Sequence, residues 1–402
     1  MNPNMVNKRP KIKKNQTTHE TNCISEPTGS GALVGSNDDL LTEILLRLPV
    51  ASVLRFKSVS KHWKSLLSHQ HFTLLFDNVP VSPGFFVRDL YVPFDVENKT
   101  PPPFRSLNFY PDRCGIKIVQ SCNGLLLCCS HRGKEHTRKY YVFNPTTKQY
   151  AVIPSVIGGP DASKTIRFMG LAFRRTGCVH YKVVCFRNEK HNKKRFQIQI
   201  YSSETEKWRI SQESFSVSDS LSFGPGVYSK GTMHWIPNFF DLVCFKIDVE
   251  QVQKMLLPER ASSSWGSRPL YFGESRGHLH LVEAARHENP LQVNVYELMS
   301  DYSGWFIKYR VELDDLPTAY PDMVYSNRDP SNYLFEVFDV LRGDEEEEST
   351  FVVVRIPEKI MRYDVVNKSF EKMIDLPGLL CYRRICYTNV HRYSQILSSF
   401  RG

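Results

Sequence analysis

The chain has 402 residues, of which 41% are hydrophobic and 23% charged, enough for a sizeable core and too apolar for wholesale disorder. Its formal net charge is +10, yet the charge is local: Lys8-Arg9-Pro10-Lys11-Ile12-Lys13-Lys14 and Lys190 with Lys193-Lys194-Arg195 are basic, while Asp344-Glu345-Glu346-Glu347-Glu348 is acidic. One continuous polyanion-binding face is therefore not expected, nor is nucleic acid as a partner, and no run reaches the length of a membrane span.

Residues 1–35 read as a polar, basic tail and flexible linker without the apolar centre of a secretory signal. The cluster at 8–14 has the composition of a nuclear-import signal and equally that of a solvated tail. An intracellular location, in nucleus or cytoplasm, is expected. The ten cysteines fit a reducing compartment, because Cys128, Cys129, Cys185 and Cys244 sit in apolar strand-like runs and no Cys-x-x-Cys pair occurs. No zinc site and no cofactor are expected.

Helical signal begins at Ser36, which reads as an N-cap, with Asp38 and Asp39 suited to the positive end of a helix dipole. Leu40, Leu41, Ile44, Leu45 and Leu48 then form one broad apolar face, and Pro49 stops this helix and begins another. Val50, Val53, Leu54 and Phe56 belong to a second short helix; Val59, Trp63, Leu66 and Leu67 mark a third that starts near Ser60. Helices this short are marginal alone and must pack on each other, on a partner, or on both.

Three elements here resemble the F-box of plant proteins: Asp39-Leu40-Leu41-x-Glu43-Ile44-Leu45, Arg47-Leu48-Pro49-Val50, and Leu54-Arg55-Phe56-Lys57-x-Val59-Ser60-Lys61-x-Trp63. Where that family usually has Leu-Pro ahead of the first helix, this chain has Ser36-Asn37. The resemblance implies an all-α, three-helix domain over 36–78 that binds a Skp-type adaptor, which in turn bridges to a cullin and a RING protein. Carried over position by position, the adaptor-binding set is Leu40, Ile44, Leu45, Leu48, Pro49, Val50, Leu54, Val59 and Trp63. The competing reading makes the same residues the core of a three-helix bundle; it weighs most for Trp63.

Beyond Pro80 the texture changes to short β-type runs separated by Pro, Gly, Asn and Ser. A unit recurs in which a strand ends on Asn, Asp, Ser or Glu, passes a short polar turn, and continues into a second strand. Its markers are Asn144, Ser202, Asp248, Glu297 and Asp364. An aromatic follows six places later at Tyr150, Trp208 and Phe370, with Lys254 breaking the rule, and a further strand lies upstream of each marker. A period near 50 residues with about four strands per unit predicts an all-β domain of propeller type, with a β-sandwich as the alternative.

Ser121-Cys122-Asn123-Gly124-Leu125-Leu126, Phe143-Asn144-Pro145-Thr146-Thr147, Tyr181-Lys182-Val183-Val184, Tyr201-Ser202-Ser203 and Gly231-Thr232-Met233-His234-Trp235 resemble the plant F-box-associated domain, distantly kelch-like. The expected domain runs over 80–390, with 391–402 a C-terminal tail. Asn123-Gly124 and Asn144-Pro145 read as turns, Trp208 and Trp235 as core between blades. His278 and His280 fall on one strand face; a two-His metal site and sheet histidines with ordinary partners are both open readings.

No hydrolase elbow, phosphate loop or metalloprotease motif occurs. Together the resemblances imply a non-catalytic receptor that holds an unknown protein substrate for ubiquitination. The alternative is a stand-alone propeller that binds a polyanion or a glycan. Target contacts are expected from the loops 157–167, 187–195, 259–269, 314–330 and 343–349, with Trp265, Arg268 and Tyr320 as anchors because aromatics and Arg dominate binding hot spots.

Overall fold

The computed structural model describes residues 30–78, 84–88, 90–94, 108–131, 138–159, 161–175, 180–189, 194–217, 224–237, 240–258, 269–284, 289, 291–324, 333–343, 350–376 and 390–397. The chain divides into two compact units, 1–48 and 49–402.

The first unit contains α1 (Ser30–Ser36) and α2 (Asp38–Leu46). Part of the expected linker is thus helical, and Ser36 closes α1 instead of capping α2. The cap is Asn37, whose Oδ1 accepts from the backbone N–H groups of Asp39 and Leu40, each at 3.1 Å.

The second unit opens with α3 (Val50–Phe56), α4 (Lys61–Ser68) and α5 (Gln70–Asn78). The expected three helices become five among the described residues: α1 is added in front, and His69 adopts an extended conformation that splits the last one. Its ring Nδ1 accepts from the His71 N–H at 3.3 Å, a capping role that histidine seldom signals in a sequence.

Six antiparallel sheets follow, the blades of a β-propeller. The first four-stranded blade is β3 (Ile116–Cys122), β4 (Leu125–Ser130), β5 (Tyr140–Asn144) and β6 (Gln149–Ile153). The second is β7 (Ile166–Phe173), β8 (Tyr181–Asn188), β9 (Arg195–Ser202) and β10 (Lys207–Ser216). The third is β11 (Val227–Ser229), β12 (Thr232–Trp235), β13 (Asp241–Lys246) and β14 (Gln251–Leu256). The fourth is β15 (Tyr271–Ser275), β16 (His278–Ala284), β17 (Gln292–Leu298) and β18 (Trp305–Glu312). The fifth is β19 (Glu336–Leu341), β20 (Phe351–Ile356), β21 (Lys359–Asp364) and β22 (Ser369–Asp375).

The sixth blade joins the two ends of the domain: β1 (Gly84–Val87) lies between β2 (Leu90–Pro93) and β23 (Val390–Tyr393). β3, β7, β11, β15, β19 and β23 line the centre, where β23 neighbours β3 and bonds to β19. The described part of the expected tail, 391–397, is therefore core. Tyr393, Ile396 and Leu397 are buried. Two polar residues, His391 and Arg392, within a four-residue strand hide its strand character from a hydropathy reading.

Both faces of the second strand of a blade are covered, so such runs are continuously apolar instead of alternating, as in Leu125–Cys129 of β4 and Val352–Val354 of β20. Each blade interface has its own apolar cluster. Trp235 packs with Phe168, Phe186 and Phe215 between the second and third blades. Trp208 packs on Tyr201 and donates to the carbonyl of Pro154 in the first blade at 2.9 Å.

The repeat marker has a physical basis. Asn144 Oδ1 accepts from Thr146 N, Ser202 Oγ from Glu204 N, and Asp364 Oδ1 from Val366 N, so each marker closes the turn between the third and fourth strands with its own side chain. Four residues on, Lys148, Glu206, Glu250 and Lys368 all have positive φ, 50° to 58°. That register puts Lys246, and not Asp248, in the marker position of the third blade, and Val252 six places later. The aromatic at that offset pairs across the hairpin with the residue before the marker: Tyr150 with Phe143, Trp208 with Tyr201, Phe370 with Tyr363.

These turns, and the two-residue turns between first and second strands at Asn123-Gly124, Lys230-Gly231 and Arg276-Gly277, share one face of the ring. The connections between second and third strands and those from one blade to the next leave from the opposite face. The segment after β23 crosses the short-turn face: Ile396 N donates to Thr146 Oγ1 at 3.2 Å and Leu397 N to Asp77 Oδ1 of α5 at 2.6 Å. A methyl group on Gly124 would stand 2.7 Å from Ile396 and from the Ser394 carbonyl, so only glycine fits there.

Candidate adaptor and target surfaces

On α2, Leu41 and Leu45 are buried, whereas Leu40 and Ile44 are 50% and 46% exposed. The exposed pair is spaced one helical turn apart and so shares one face, beside an i,i+4 Glu43–Arg47 pair at 3.2 Å. Leu48 is half-buried. The sequence reading treats all these leucines alike, but α2 presents two different faces.

In the second unit, Pro49 is exposed and its carbonyl accepts from Ser52 N and Val53 N, starting α3. Val50 and Val53 are buried; Val59, in the turn before α4, is 59% exposed. Ser60 Oγ accepts from Trp63 N at 3.1 Å, and the Trp63 ring meets Phe56 edge-on with centroids 5.4 Å apart. Trp63 is therefore partly occupied inside the helical segment. Leu54 is half-buried and lines a cleft shared with Thr146, Thr147 and Leu397 of the propeller.

Of the expected target anchors, Trp265 and Arg268 lie outside the described residues. Tyr320 follows α6 (Leu316–Ala319), donates its N–H to Leu316 O at 2.7 Å, and lies half-buried against the cluster between the fourth and fifth blades. Lys359 Nζ stands 5.9 Å from its ring centroid, within cation–π range.

At the centre a cavity of about 150 Å3 is lined by the inner strands. Its polar groups are strongly coupled. Asp339 on β19 accepts from Arg392 of β23 through Oδ2 at 3.0 Å and Oδ1 at 2.5 Å, and from the Tyr271 hydroxyl of β15 at 2.7 Å. The Asp339 charge, next to the half-buried guanidinium, opposes desolvation and holds the Arg392 pKa above its ordinary value, while burial raises that of Tyr271. Sequence reasoning missed this network, since nothing in the pattern marks Arg392 as a core residue.

His278 and His280 both face Glu297, at 2.8 Å and 3.5 Å, and Arg342 reaches the same carboxylate at 3.1 Å. Despite desolvation, these donors and positive charges hold the Glu297 pKa down at about 2. Among the described residues no group of three or more His, Cys, Asp or Glu is arranged to hold a metal ion. The buried thiols of Cys122 and Cys244 are pushed up to about 12 by desolvation, which keeps them protonated and unreactive.

His234 and His391 are buried and held neutral, each with a pKa lowered to about 4 by desolvation. Unfolding returns them to an ordinary value near 6.5, so the unfolded chain takes up more protons between about pH 6.5 and 4. Stability from these groups is complete above that window and is lost as pH falls through it, by up to about 1.4 kcal/mol per pH unit for each histidine. Urea unfolding of the full chain at pH 7, 6 and 5 checks this. His391→Asn should remove about one proton from the slope, and a midpoint independent of pH would exclude it.

Comparison with known families decides what these parts belong to. Residues 37–75 match the F-box domain and residues 95–270 the F-box associated beta propeller domain. The chain is 30% identical over 385 residues to the F-box protein At5g07610 of Arabidopsis thaliana, covering 88% of this chain and 89% of that protein. It belongs to the plant F-box proteins with an F-box-associated propeller. A second Arabidopsis thaliana F-box protein, At5g49610, is 31% identical over 267 residues, 61% of this chain and 71% of its own length. The propeller match ends at residue 270, so the fourth and fifth blades of this F-box protein carry the four-stranded pattern on beyond it. No helix among the described residues is long and apolar enough to cross a membrane.

Proposed function

We propose that this F-box protein is the target-recognition subunit of a Skp–cullin–F-box ubiquitin ligase, working inside the cell. The observation that carries this reading is the F-box match over 37–75, in which a capped helix holds the apolar side chains of Leu40 and Ile44 in solvent. Exposed leucine and isoleucine on a short helix have a cost in water that a partner surface removes. Pro49 and Val59, of the expected adaptor-binding residues in the second unit, are exposed too, whereas Leu45 and Val50 are buried.

The propeller is the target-binding part and performs no chemistry of its own. Supporting this, its central acids and bases are engaged with each other and its buried thiols are protonated. Its contribution to ubiquitin transfer is proximity, which raises the effective concentration of a bound target near the conjugating enzyme. The target docks on the face that carries the blade-to-blade connections, where Tyr320 lies, while α5 and residues 394–397 occupy the other face. Co-expression of the full chain with a Skp-type adaptor under reducing conditions should give one complex on size exclusion. Separate elution of the two folded proteins would end this reading.

A further inference from the structure

Lys57, the residue that ends α3, and Lys148, in the β5–β6 turn of the first blade, open onto one cavity of about 490 Å3. Ser68, Thr147 and Gln149 add hydroxyl and amide groups to its wall beside apolar Leu54 and Leu397, and among the described residues no Asp or Glu lines it. Among the described residues neither lysine has an acidic partner. In the third blade the turn charges are paired instead: Glu250, at the position equivalent to Lys148, with Arg209, and Asp248 with Lys182 at 2.8 Å.

Lys57 is half-buried, and burial alone lowers its pKa, with no opposing carboxylate. A desolvated cation without a counter-charge works against folding. Half-buried Lys57 and exposed Lys148 on opposite walls of one cavity, with hydroxyl and amide groups between them, form a site suited to an anion. Its volume falls in the range of small-molecule sites, about 300–1,000 Å3. Ammonium groups act as point charges that suit phosphate oxygens, with hydroxyl and amide groups as neutral donors.

We propose that this cavity binds a small diffusible anion carrying two or more phosphate groups, held between α3–α4 and the first blade. The bound anion neutralises both lysines at once and fixes these helices on the propeller. The proposal goes beyond the receptor reading and does not depend on it.

The test is thermal melting of the full chain with millimolar inorganic pyrophosphate, against sodium sulfate at equal ionic strength. Wild type should gain about 2–4 °C with pyrophosphate and clearly less with sulfate. Lys57→Met and Lys148→Met should each lose the gain. Lys368→Met, at the equivalent turn position of the fifth blade, should keep it. Without anion, Lys57→Met should melt at or above the wild-type temperature, which shows that the lost response is not lost folding. A wild-type melting point unmoved by pyrophosphate, a gain matched by sulfate, or equal gains in all four proteins would each overturn the proposal.

Discussion

Replacing Arg392 with Met should lower the stability of the propeller by about 3–5 kcal/mol, the cost of leaving a buried carboxylate without its counter-charge. Asp339 is almost fully buried and accepts two bonds from Arg392, so loss of the guanidinium leaves its charge without that counter-charge. The pair also joins β23, supplied by the C-terminal end, to β19 of the fifth blade, and Tyr271 extends it to β15 of the fourth. The double change Arg392→Met/Asp339→Leu removes both charges and should recover most of the loss. About 1 kcal/mol should stay missing, because the Tyr271 hydroxyl has then lost its acceptor. Urea midpoints followed by tryptophan fluorescence measure both variants. If the double variant is as unstable as the single one, uncompensated charge is not the cause.

Ile44→Asp should weaken adaptor binding by roughly a hundredfold, about 3 kcal/mol, while leaving the melting temperature within a degree or two of wild type. The expectation follows from its exposure: the new carboxylate is solvated in the free protein and desolvated only against the adaptor. Leu45→Asp, one residue away, should fail differently, since that side chain is buried and the charge disrupts the helical segment itself. Adaptor affinity by surface-immobilised titration, read beside a thermal melt, separates the two. An Ile44→Asp affinity within about threefold of wild type would remove Ile44 from the interface.

The difference between neighbouring Ile44 and Leu45 shows what the sequence conveys and what it withholds. Apolar spacing and Pro49 place α2 and α3, because helix periodicity and the missing proline N–H act locally. Which leucines face inward depends on partners distant in sequence, so the adaptor set is read as one group when it contains two faces. The blades are readable for a similar local reason: Asn144, Ser202 and Asp364 each close a turn with their own side chain. Lys246 cannot do so, and the eye passes to Asp248, two residues late, which also explains why Lys254 breaks the aromatic rule. The sixth blade is not readable at all, since its strands come from opposite ends and Arg392, its central charge, makes a core strand look like a tail.

That closing blade also sets a clock on synthesis. Gly84 and Tyr393 face each other in the sheet yet lie about 300 residues apart, roughly 15–60 s of translation at ~5–20 residues per second. During that interval the F-box helices are already outside the ribosome while Phe85, Phe86 and Tyr91 wait for the neighbours that will cover them. Such unpaired strands and bare aromatics are what chaperones bind. A chain cut short between Leu376 and Val390 keeps every described helix and the five four-stranded blades but never closes the ring. Quality control of this protein therefore depends on β23, and loss of that strand yields a partial chain that displays an F-box with no finished receptor behind it.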